Sequence, residues 1–519
     1  MSKVHTYARN LAANWMGHGA NLVVMFLLSP FVVHTLGDAA YGVWSLLTVL
    51  TGYLGLIDLG VRGSTGRYIN FYLGTHSRER VGSVVATSLV FYTFVSLLIF
   101  AIAVPVGLFF GQIFTKVPPD LAAEAKWVLL LLGANVWVGF FSATFSQLLQ
   151  SKDRFDLTNG ADILVLAIRT GGTVLALLNG YGLIALALVQ VLSGLVGCAF
   201  LVLLARWKGP ALPLSIRSAS FETFREIFAF SVWVFVGNSA GRIVYYANAA
   251  VIGLLIGAKE ITYYSIGLML VEYSRNLINH VGRVMTPETQ KAAGRADLDA
   301  LRWLMVRTTR ATMFVAVPLL VGMVVLGREF ISLWMGPAYR DSASVLIILS
   351  LAQFGATANS LSGASLLGLG HVKPWACMAA AEAILNLGLS VGFVLFLNWG
   401  IFGVALGSLL PAVAINNILL MVYTCKVTKT SVSWFVRATV LRWGLAAVLT
   451  AALGLAVSWL IPPSGWWTFV SKVAVLCLLY VPIGLFVVMT RGESAGILRA
   501  IGLMRKAPIR LAEQGHNHG

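Results

Sequence analysis

Residues 78–109 read RERVGSVVATSLVFYTFVSLLIFAIAVPVGLF, and this stretch shows the pattern that governs the whole chain. Arg78, Glu79 and Arg80 come first, and no charged residue follows them up to residue 109. A helix needs about 20 predominantly apolar residues to cross the roughly 30 Å hydrocarbon core of a bilayer. The run from residue 82 to 109 is long enough, so it predicts a membrane-spanning helix with a charged end.

Apolar stretches of this kind recur along the chain, and we predict fourteen spans. They cover residues 11–34, 42–66, 82–109, 126–149, 160–178, 182–205, 226–249, 261–285, 304–326, 342–366, 375–397, 401–424, 440–461 and 467–489. The expected fold is therefore an all-α polytopic membrane protein with fourteen transmembrane helices.

The Lys and Arg residues indicate which loops lie in the cytoplasm. Most of the 37 fall in the two termini and the even-numbered loops. The odd-numbered loops and their rims hold only Lys116, Lys126, Lys259, Arg328 and Arg340. Because positively charged loops stay on the cytoplasmic side, we expect both termini to be cytoplasmic and all outer loops to be short.

The composition excludes an ordinary soluble domain. Hydrophobic residues make up 58% of the chain, charged residues only 11%, and the mean hydropathy is +0.84. The pI near 9.9 does not indicate nucleic-acid binding, because the basic residues flank spans and do not cluster on one polar segment. We expect this basic inner rim to contact anionic lipid headgroups.

A weak internal repeat divides the chain into halves. Residues 36–41 (LGDAAY) and 256–263 (IGAKEITY) each join two predicted spans. Repeated halves are typical of secondary transporters, whose substrate site lies between the halves near the membrane midplane. We predict an N-terminal six-helix lobe over 1–208, a C-terminal six-helix lobe over 209–425, two appended helices within 426–490 and a basic cytoplasmic tail over 491–519.

Charged side chains inside the predicted spans are the main functional signal, because each costs about 2.5–3.5 kcal/mol at a helix centre. Span eight carries a polar stripe with the spacing of one helix face: Glu272, Arg275, Asn276, Asn279, His280 and Arg283. The other contributors are the i,i+4 pair Asp58 and Arg62 in span two, Arg169 in span five, and Asn238 and Arg242 in span seven.

Arginine outnumbers carboxylate in these spans, which indicates an anionic ligand. The planar guanidinium group suits phosphate oxygens. We therefore predict that a phosphate-bearing substrate binds between the halves to Arg62, Arg169, Arg242, Arg275, Arg283, Asn238, Asn276, Asn279 and His280. The structural alternative is that Asp58–Arg62 and Glu272–Arg275 are ion pairs that hold helices together.

Glu382 is the first candidate for coupling transport to an ion. Asp58 and Glu272 each have an arginine within one turn, which favours their charged forms, whereas Glu382 has no Lys or Arg three or four residues away. Desolvation then favours its neutral form. Glu382 is therefore the leading proton or sodium site, with Asp58 and Glu272 as further candidates, and no cofactor or bound metal is predicted.

Short motifs along the chain identify a family resemblance. They are LGDAAYGVWS at 36–45, GYLGLIDLG at 52–60, RFDL at 154–157, LWMGPAY at 333–339, GLGHVK at 368–373 and NWGIFGVALG at 398–407. From about residue 8 to 425 the chain resembles the Wzx-like O-antigen and polysaccharide flippases. These belong to the multidrug/oligosaccharidyl-lipid/polysaccharide (MOP) exporter superfamily.

The resemblance implies a flippase in the bacterial inner membrane. It would move a polyprenyl-diphosphate-linked oligosaccharide from the cytoplasmic to the outer leaflet by alternating access, driven by proton or sodium antiport. Its partners would be membrane lipids and the polymerases or glycosyltransferases of the same pathway. The appended spans would form an apolar groove for the polyprenyl tail.

Two other functions remain open. A cation-coupled multidrug exporter of the same superfamily would share the two-lobed architecture, but such exporters typically have twelve spans and acidic sites for cationic drugs. A membrane-embedded glycosyltransferase or polymerase would use the same lipid-linked sugars. That chemistry would need acidic residues on a sizeable outer loop, which the predicted topology lacks.

Overall fold

The computed structural model describes nine continuous segments of the chain. These are residues 23–58, 61–74, 77–152, 154–208, 216–228, 247–283, 297–369, 371–490 and 492–495. Six isolated residues, 19, 21, 285, 289, 292 and 295, are described as well. All regular secondary structure in these segments is helical, as the hydrophobic pattern predicts.

Eleven helices lie in the described segments up to residue 283. They are α1 (Val23–Leu36), α2 (Asp38–Leu54), α3 (Val61–Gly74), α4 (Arg78–Leu108), α5 (Phe110–Ile113), α6 (Pro119–Gln150), α7 (Phe155–Leu178), α8 (Leu183–Lys208), α9 (221–228), α10 (247–255) and α11 (Ala258–Arg283). A 3₁₀ turn, Gly55–Asp58, follows α2.

Nine helices and three π-helical segments follow between residues 297 and 490. The helices are α12 (Leu298–Trp334), α13 (Ser342–Ala358), α14 (Ser360–Gly368), α15 (Val372–Leu397), α16 (Gly400–Pro411), α17 (Leu420–Val427), α18 (Val432–Phe435), α19 (Leu441–Leu460) and α20 (Trp466–Ile483). The π segments are Ala412–Leu419, Val436–Val440 and Gly484–Val488. A 3₁₀ turn, Pro337–Tyr339, lies between α12 and α13.

Ten helical stretches in the described segments are long and apolar enough to cross a membrane. They coincide with predicted spans three to six and nine to fourteen. The protein is therefore a multi-pass membrane protein. The full count of fourteen spans and the side on which the termini lie stay predictions.

The other four predicted spans differ from the long apolar helices above or lie partly outside the described residues. Span one corresponds to the shorter apolar helix α1, and most of span seven lies outside the described residues. Span eight is the continuous helix α11, whose charged and amide side chains lower its hydropathy. Span two is not one α-helix, because the 3₁₀ turn Gly55–Asp58 separates α2 from α3.

The chain forms two compact units, each built from segments that are distant in sequence. The first contains 1–273, 331–352 and 371–419, and the second contains 274–330, 353–370 and 420–519. These segments interleave along the chain. The division into two six-helix lobes and two appended helices stays a prediction.

The first unit has a core where α3, α4, α6, α8 and α9 meet. Val85, Ile99, Leu149 and Ile227 are fully or almost fully buried there, and Tyr92 stacks on Phe140 with ring centroids 5.0 Å apart. Helix α9 is tied to this core by polar contacts as well. The Tyr72 hydroxyl donates to both carboxylate oxygens of Glu226 at 2.9 Å.

The second unit places the two appended spans against α12. Met313 and Leu320 of α12 are fully buried in one core with Ala446 of α19 and Tyr480 of α20. The Tyr480 hydroxyl also donates to the carbonyl of Phe314 at 2.9 Å. Helices α19 and α20 are therefore integral to this unit and not a loose extension.

Candidate functional site

The polar stripe of span eight lies on one unbroken helix. Because α11 runs from Ala258 to Arg283, Glu272, Arg275, Asn276 and Asn279 keep the spacing that places them along one side. Glu272, Arg275 and Asn279 are half-buried, and Asn276 is exposed. His280 and Arg283 belong to the same helix, but their side chains lie outside the described part of the structure.

Span two is interrupted where Asp58 lies. The sequence pairs Asp58 with Arg62 at the i,i+4 spacing of an α-helix, but Asp58 ends the 3₁₀ turn Gly55–Asp58 and Arg62 belongs to α3, which begins at Val61. The pairing of Asp58 with Arg62 stays a prediction. Asp58 is half-buried at the end of the turn, and the Arg62 side chain is exposed on α3.

Arg169 lies in the membrane-spanning helix α7 and is partly buried. The described residues offer it no hydrogen-bonding or ion-pair partner. The predicted Asn238 and Arg242 fall in 229–246, outside the described residues. The predicted arginine set therefore stays a prediction.

Glu382 has a defined, neutral partner. The Asn416 side-chain amide donates to both carboxylate oxygens of Glu382 at 2.8 Å. Asn416 lies in the π segment Ala412–Leu419, and π segments often occur at functional sites because they redirect side chains. Among the described residues, no cation forms an ion pair with Glu382.

Two further acceptor oxygens lie on the elements that carry Glu382 and Asn416. Asn386 is on α15, one turn after Glu382, and Asn417 follows Asn416 in the π segment. Their Oδ1 atoms are buried, and the described residues provide no hydrogen-bond donor for either. Buried polar atoms are almost always satisfied, so these two acceptors leave room for a further donor or a small cation.

A buried polar network joins α10, α11, α15 and α16. The amide of Asn248 donates to the Tyr264 hydroxyl at 2.7 Å and to the Ser408 hydroxyl at 2.8 Å. The amide of Asn386 also donates to Ser408, at 2.9 Å, and Ser390 is bonded to the carbonyl of Val404 at 3.3 Å. The network is neutral, and it anchors the helix that carries Glu382.

The start of α2 is fastened to α11 and to the turn before α13. The Asp38 carbonyl accepts from the Thr262 hydroxyl, and the Asp38 carboxylate accepts from Tyr339 at 2.5 Å. Further along, the Ser45 and Ser265 hydroxyls are 2.8 Å apart. Burial, followed by the hydrogen bond to Asp38, raises the pKa of Tyr339, so the phenol remains a neutral donor well into alkaline pH.

The second unit contains two ion pairs that join its helices. Lys472 of α20 is fully buried, and its Nζ lies 2.6 Å from Oε2 of Glu329 on α12. Near the opposite end of α12, Arg310 lies 3.5 Å from Glu493 and also donates to the carbonyl of Ala438 in the π segment Val436–Val440. The first pair attaches α20 to α12. The second joins α12 to residue 493, just beyond the last π segment, and the bond to Ala438 joins α12 to the segment before α19.

Sequence reasoning missed several of these polar residues. They include Asn248, Ser408, Lys472 and Asn416, which lie in apolar spans. The polar stripes of helical periodicity that the sequence predicts include none of them. The only signal in the sequence was that a polar residue occurs within a predicted membrane span, where burying it in hydrocarbon costs free energy. Groups of three or more His, Cys, Asp or Glu that could hold a metal do not occur in the described part of the chain.

The chain is similar to proteins of known sequence and structure. The "probable low-salt glycan biosynthesis flippase Agl15" of Haloferax volcanii is 24% identical over 409 residues, covering 78% of this chain and 80% of that protein. The structure of the lipid II flippase MurJ in an inward closed conformation superposes with a TM-score of 0.71 at 15% identity, covering 95% of this chain and 99% of that one.

A second solved structure has the same fold. It is an inward-facing multidrug resistance MATE family transporter of the MOP superfamily, with a TM-score of 0.67, 15% identity, and coverage of 80% of this chain and 96% of that one. At these identities the two structures establish the fold alone, which is the fold that the motif resemblance implies.

The family assignment comes from a longer match. Residues 35–344 match the family described as polysaccharide biosynthesis protein, and this match spans more than half of the chain. It begins at the LGDAAY motif and ends just after the LWMGPAY motif, so the resemblance predicted from those motifs is confirmed. The protein is therefore a member of the polysaccharide biosynthesis protein family, with the helical fold of MOP superfamily transporters.

Proposed function

We propose that this protein is a flippase for a lipid-linked oligosaccharide used in surface polysaccharide synthesis. It acts as a transporter and not as an enzyme. The observation that carries the proposal is the family match over residues 35–344 on a bundle with the fold of MurJ. The similarity to Agl15, named a glycan biosynthesis flippase, supports the same substrate class.

The substrate that fits best is a polyprenyl-diphosphate-linked oligosaccharide. Its diphosphate requires cations in the membrane, and its polyprenyl tail requires an apolar surface. Arg169 in α7 and Arg275 in α11 supply guanidinium groups within or beside apolar helices, and Arg62 lies exposed on α3. The exposed apolar side chains of α19 and α20, such as Leu455, Trp459 and Leu478, suit the tail.

Transport runs from the cytoplasmic to the outer leaflet of the bacterial inner membrane, by alternating access of two lobes. Glu382 couples it to a proton or to sodium. Among the described residues, its hydrogen-bond partner is the neutral amide of Asn416, and no cation forms an ion pair with it. The Oδ1 atoms of Asn386 on α15 and of Asn417 beside Asn416 accept no hydrogen bond from these residues. A proton or a small cation would each neutralise the half-buried charge of Glu382.

Reconstituted vesicles test the function directly. Purified protein is placed in liposomes with a fluorescent polyprenyl-diphosphate oligosaccharide, and the share of sugar accessible to an external glycosidase is followed over time. Flipping is expected only with the protein and faster under an imposed ion gradient. The multidrug alternative predicts efflux of cationic dyes and no glycosidase access, and that result would overturn the proposal.

A further inference from the structure

Four arginines lie on neighbouring elements at one end of the second unit, and we call them the arginine cluster. Arg307 and Arg310 are one turn apart in the first third of α12, Arg437 lies in the π segment Val436–Val440, and Arg442 is at the start of α19. The Lys and Arg distribution predicts that this end of the unit faces the cytoplasm.

Two members of the cluster contact the short segment that follows the last π segment. Arg310 lies 3.5 Å from the carboxylate of Glu493, and Arg442 donates to the carbonyl of Met489 at 3.4 Å. Arg310 also donates to the carbonyl of Ala438, in the same π segment as the third arginine. Arg310 and Arg442 are near enough for their positive charges to repel each other. The fold therefore assembles the cluster from parts of the chain that are distant in sequence.

The described carboxylates offset only part of this charge. Glu493 pairs with the cluster, whereas Asp299 at the start of α12 is already paired with Arg302 at 2.7 Å. Arg307 and Arg437 are exposed, and no described carboxylate forms an ion pair with either. An excess of arginine favours an anionic ligand, and the planar guanidinium group suits phosphate oxygens.

An apolar stripe continues from the cluster along α19. Leu441, Leu445 and Val448 follow Arg437 at intervals of three and four residues, and all of these side chains are exposed. Residues at this spacing lie along one side of a helix. The exposed ring of Trp303 lies beside the cluster, and tryptophan is typical of the level of the lipid headgroups. A phosphate site followed by an apolar stripe has the order of a phospholipid, with its headgroup before its acyl chains.

We propose that the arginine cluster binds the headgroup of one anionic phospholipid, with an acyl chain along the stripe on α19. Arg307 and Arg437 contact the phosphate, and Arg310 and Arg442 supply the half-buried positive charge behind it. The lipid then bridges α12 and α19 and stabilises the attachment of the appended helices. This site is separate from the arginines proposed for the substrate, and it does not depend on the transport function.

Lipid titration of the detergent-solubilised protein, followed by native mass spectrometry, tests the site. The first phosphatidylglycerol should bind about ten-fold more tightly than phosphatidylcholine, because its headgroup carries no cation to oppose the arginines. In the double variant Arg307→Gln, Arg437→Gln this preference should disappear. Both side chains are exposed, so the thermal stability without added lipid should not change.

The matched control is the double variant Arg78→Gln, Arg80→Gln. It removes the same charge from exposed positions at the start of α4 in the first unit, on the same predicted side of the membrane. The preference for phosphatidylglycerol should remain in this variant. An equal loss in both double variants would mean that lipid meets a diffuse basic rim, and that result would overturn the site, as would equal binding of the two lipids to the unchanged protein.

Competitors identify the source of the phosphate. Pyrophosphate and polyprenyl diphosphate are each added at the concentration of phosphatidylglycerol, and neither should displace it, because pyrophosphate lacks acyl chains and the polyprenyl substrate is assigned to other arginines. Displacement by pyrophosphate would indicate a site for soluble phosphate, and displacement by polyprenyl diphosphate would indicate a substrate site. Either result would overturn the phospholipid assignment. Binding is measured without transport, so a protein that binds the lipid but does not flip the substrate contradicts the proposed function and not this site.

Discussion

Glu382 is a carboxylate in a membrane-spanning helix with a neutral amide as its hydrogen-bond partner. If it couples transport to an ion, Glu382→Gln should abolish the dependence of flipping on proton or sodium gradients, because the amide can neither gain nor lose charge. Flipping in vesicles is measured across a range of imposed gradients. Glu222→Gln is the control, since Glu222 is exposed and pairs loosely with Arg80 at 3.8 Å. Unchanged gradient dependence in Glu382→Gln would remove Glu382 from the coupling role.

Substitution of Arg275 distinguishes diphosphate binding from helix packing, again at the scale of single residues. As a diphosphate ligand, it should contribute about 1.5–3 kcal/mol to binding, and Arg275→Ala should weaken flipping accordingly. Arg275→Lys should rescue it in part, because lysine keeps the charge but loses the planar fork. Arg242→Ala, in the segment outside the described residues, should behave like Arg275→Ala. Polymer export is measured relative to the amount of protein in the membrane.

The double variant Arg275→Ala, Glu272→Ala tests the structural alternative, in which Arg275 forms an ion pair with Glu272 and does not bind substrate. If Arg275 only neutralises Glu272, Arg275→Ala should lower protein abundance, and adding Glu272→Ala should restore both abundance and export. An abundant, fully active double variant would therefore show that Arg275 has no role in holding the diphosphate.

At the scale of helices, the Lys472–Glu329 pair decides how α20 attaches to α12. Removing one partner of a buried ion pair leaves an uncompensated charge and costs about 3–5 kcal/mol. Lys472→Met should therefore lower the thermal stability of the detergent-solubilised protein strongly, and adding Glu329→Gln should recover most of the loss. Asp299→Ala is the control, because Asp299 is 90% exposed in its pair with Arg302. That surface pair should contribute only about 0–1 kcal/mol.

A small effect of Lys472→Met would mean that apolar packing alone holds the appended helices. The core of Met313, Leu320, Ala446 and Tyr480 would then carry the attachment. The groove proposed for the polyprenyl tail depends on these helices staying in place, so the same variants should be assayed for flipping.

At the scale of the whole molecule, the Lys and Arg asymmetry predicts a topology that cysteine labelling can check. In a background whose four native cysteines are replaced by Ser, Cys at Gly111, Asn179, Arg340 and Pro463 should react with an impermeant reagent from outside. Cys at Ser77, Asp153 and Lys429 should not react, because these loops are cytoplasmic by the positive-inside rule. Reversed accessibility at two or more positions would contradict the fourteen-span arrangement and both cytoplasmic termini.

The sequence alone determined the helical class, ten of the spans and the family. The hydrophobicity of a span is a local property of about 20 residues. A helix also satisfies its backbone hydrogen bonds within itself. Both the position of a span and its helical structure can therefore be predicted without knowing which distant residues it contacts. The sequence also shows that Glu382 has no Lys or Arg one helical turn away, because an i,i+4 partner is a local feature. The break in span two could not be predicted from the sequence, because packing against other helices determines whether Gly55–Asp58 forms an α-helix or a 3₁₀ turn.

Only the tertiary structure decided which polar groups meet. Asn416 lies 34 residues from Glu382, and Lys472 lies 143 residues from Glu329, so no periodicity could have paired them. Likewise, Gly42 and Ser45 read as ordinary span residues until α11 is placed against them. Hydrophobicity places helices in a bilayer, but it does not determine which helices pack against each other. That is determined by the close packing of small residues and the pairing of buried polar groups.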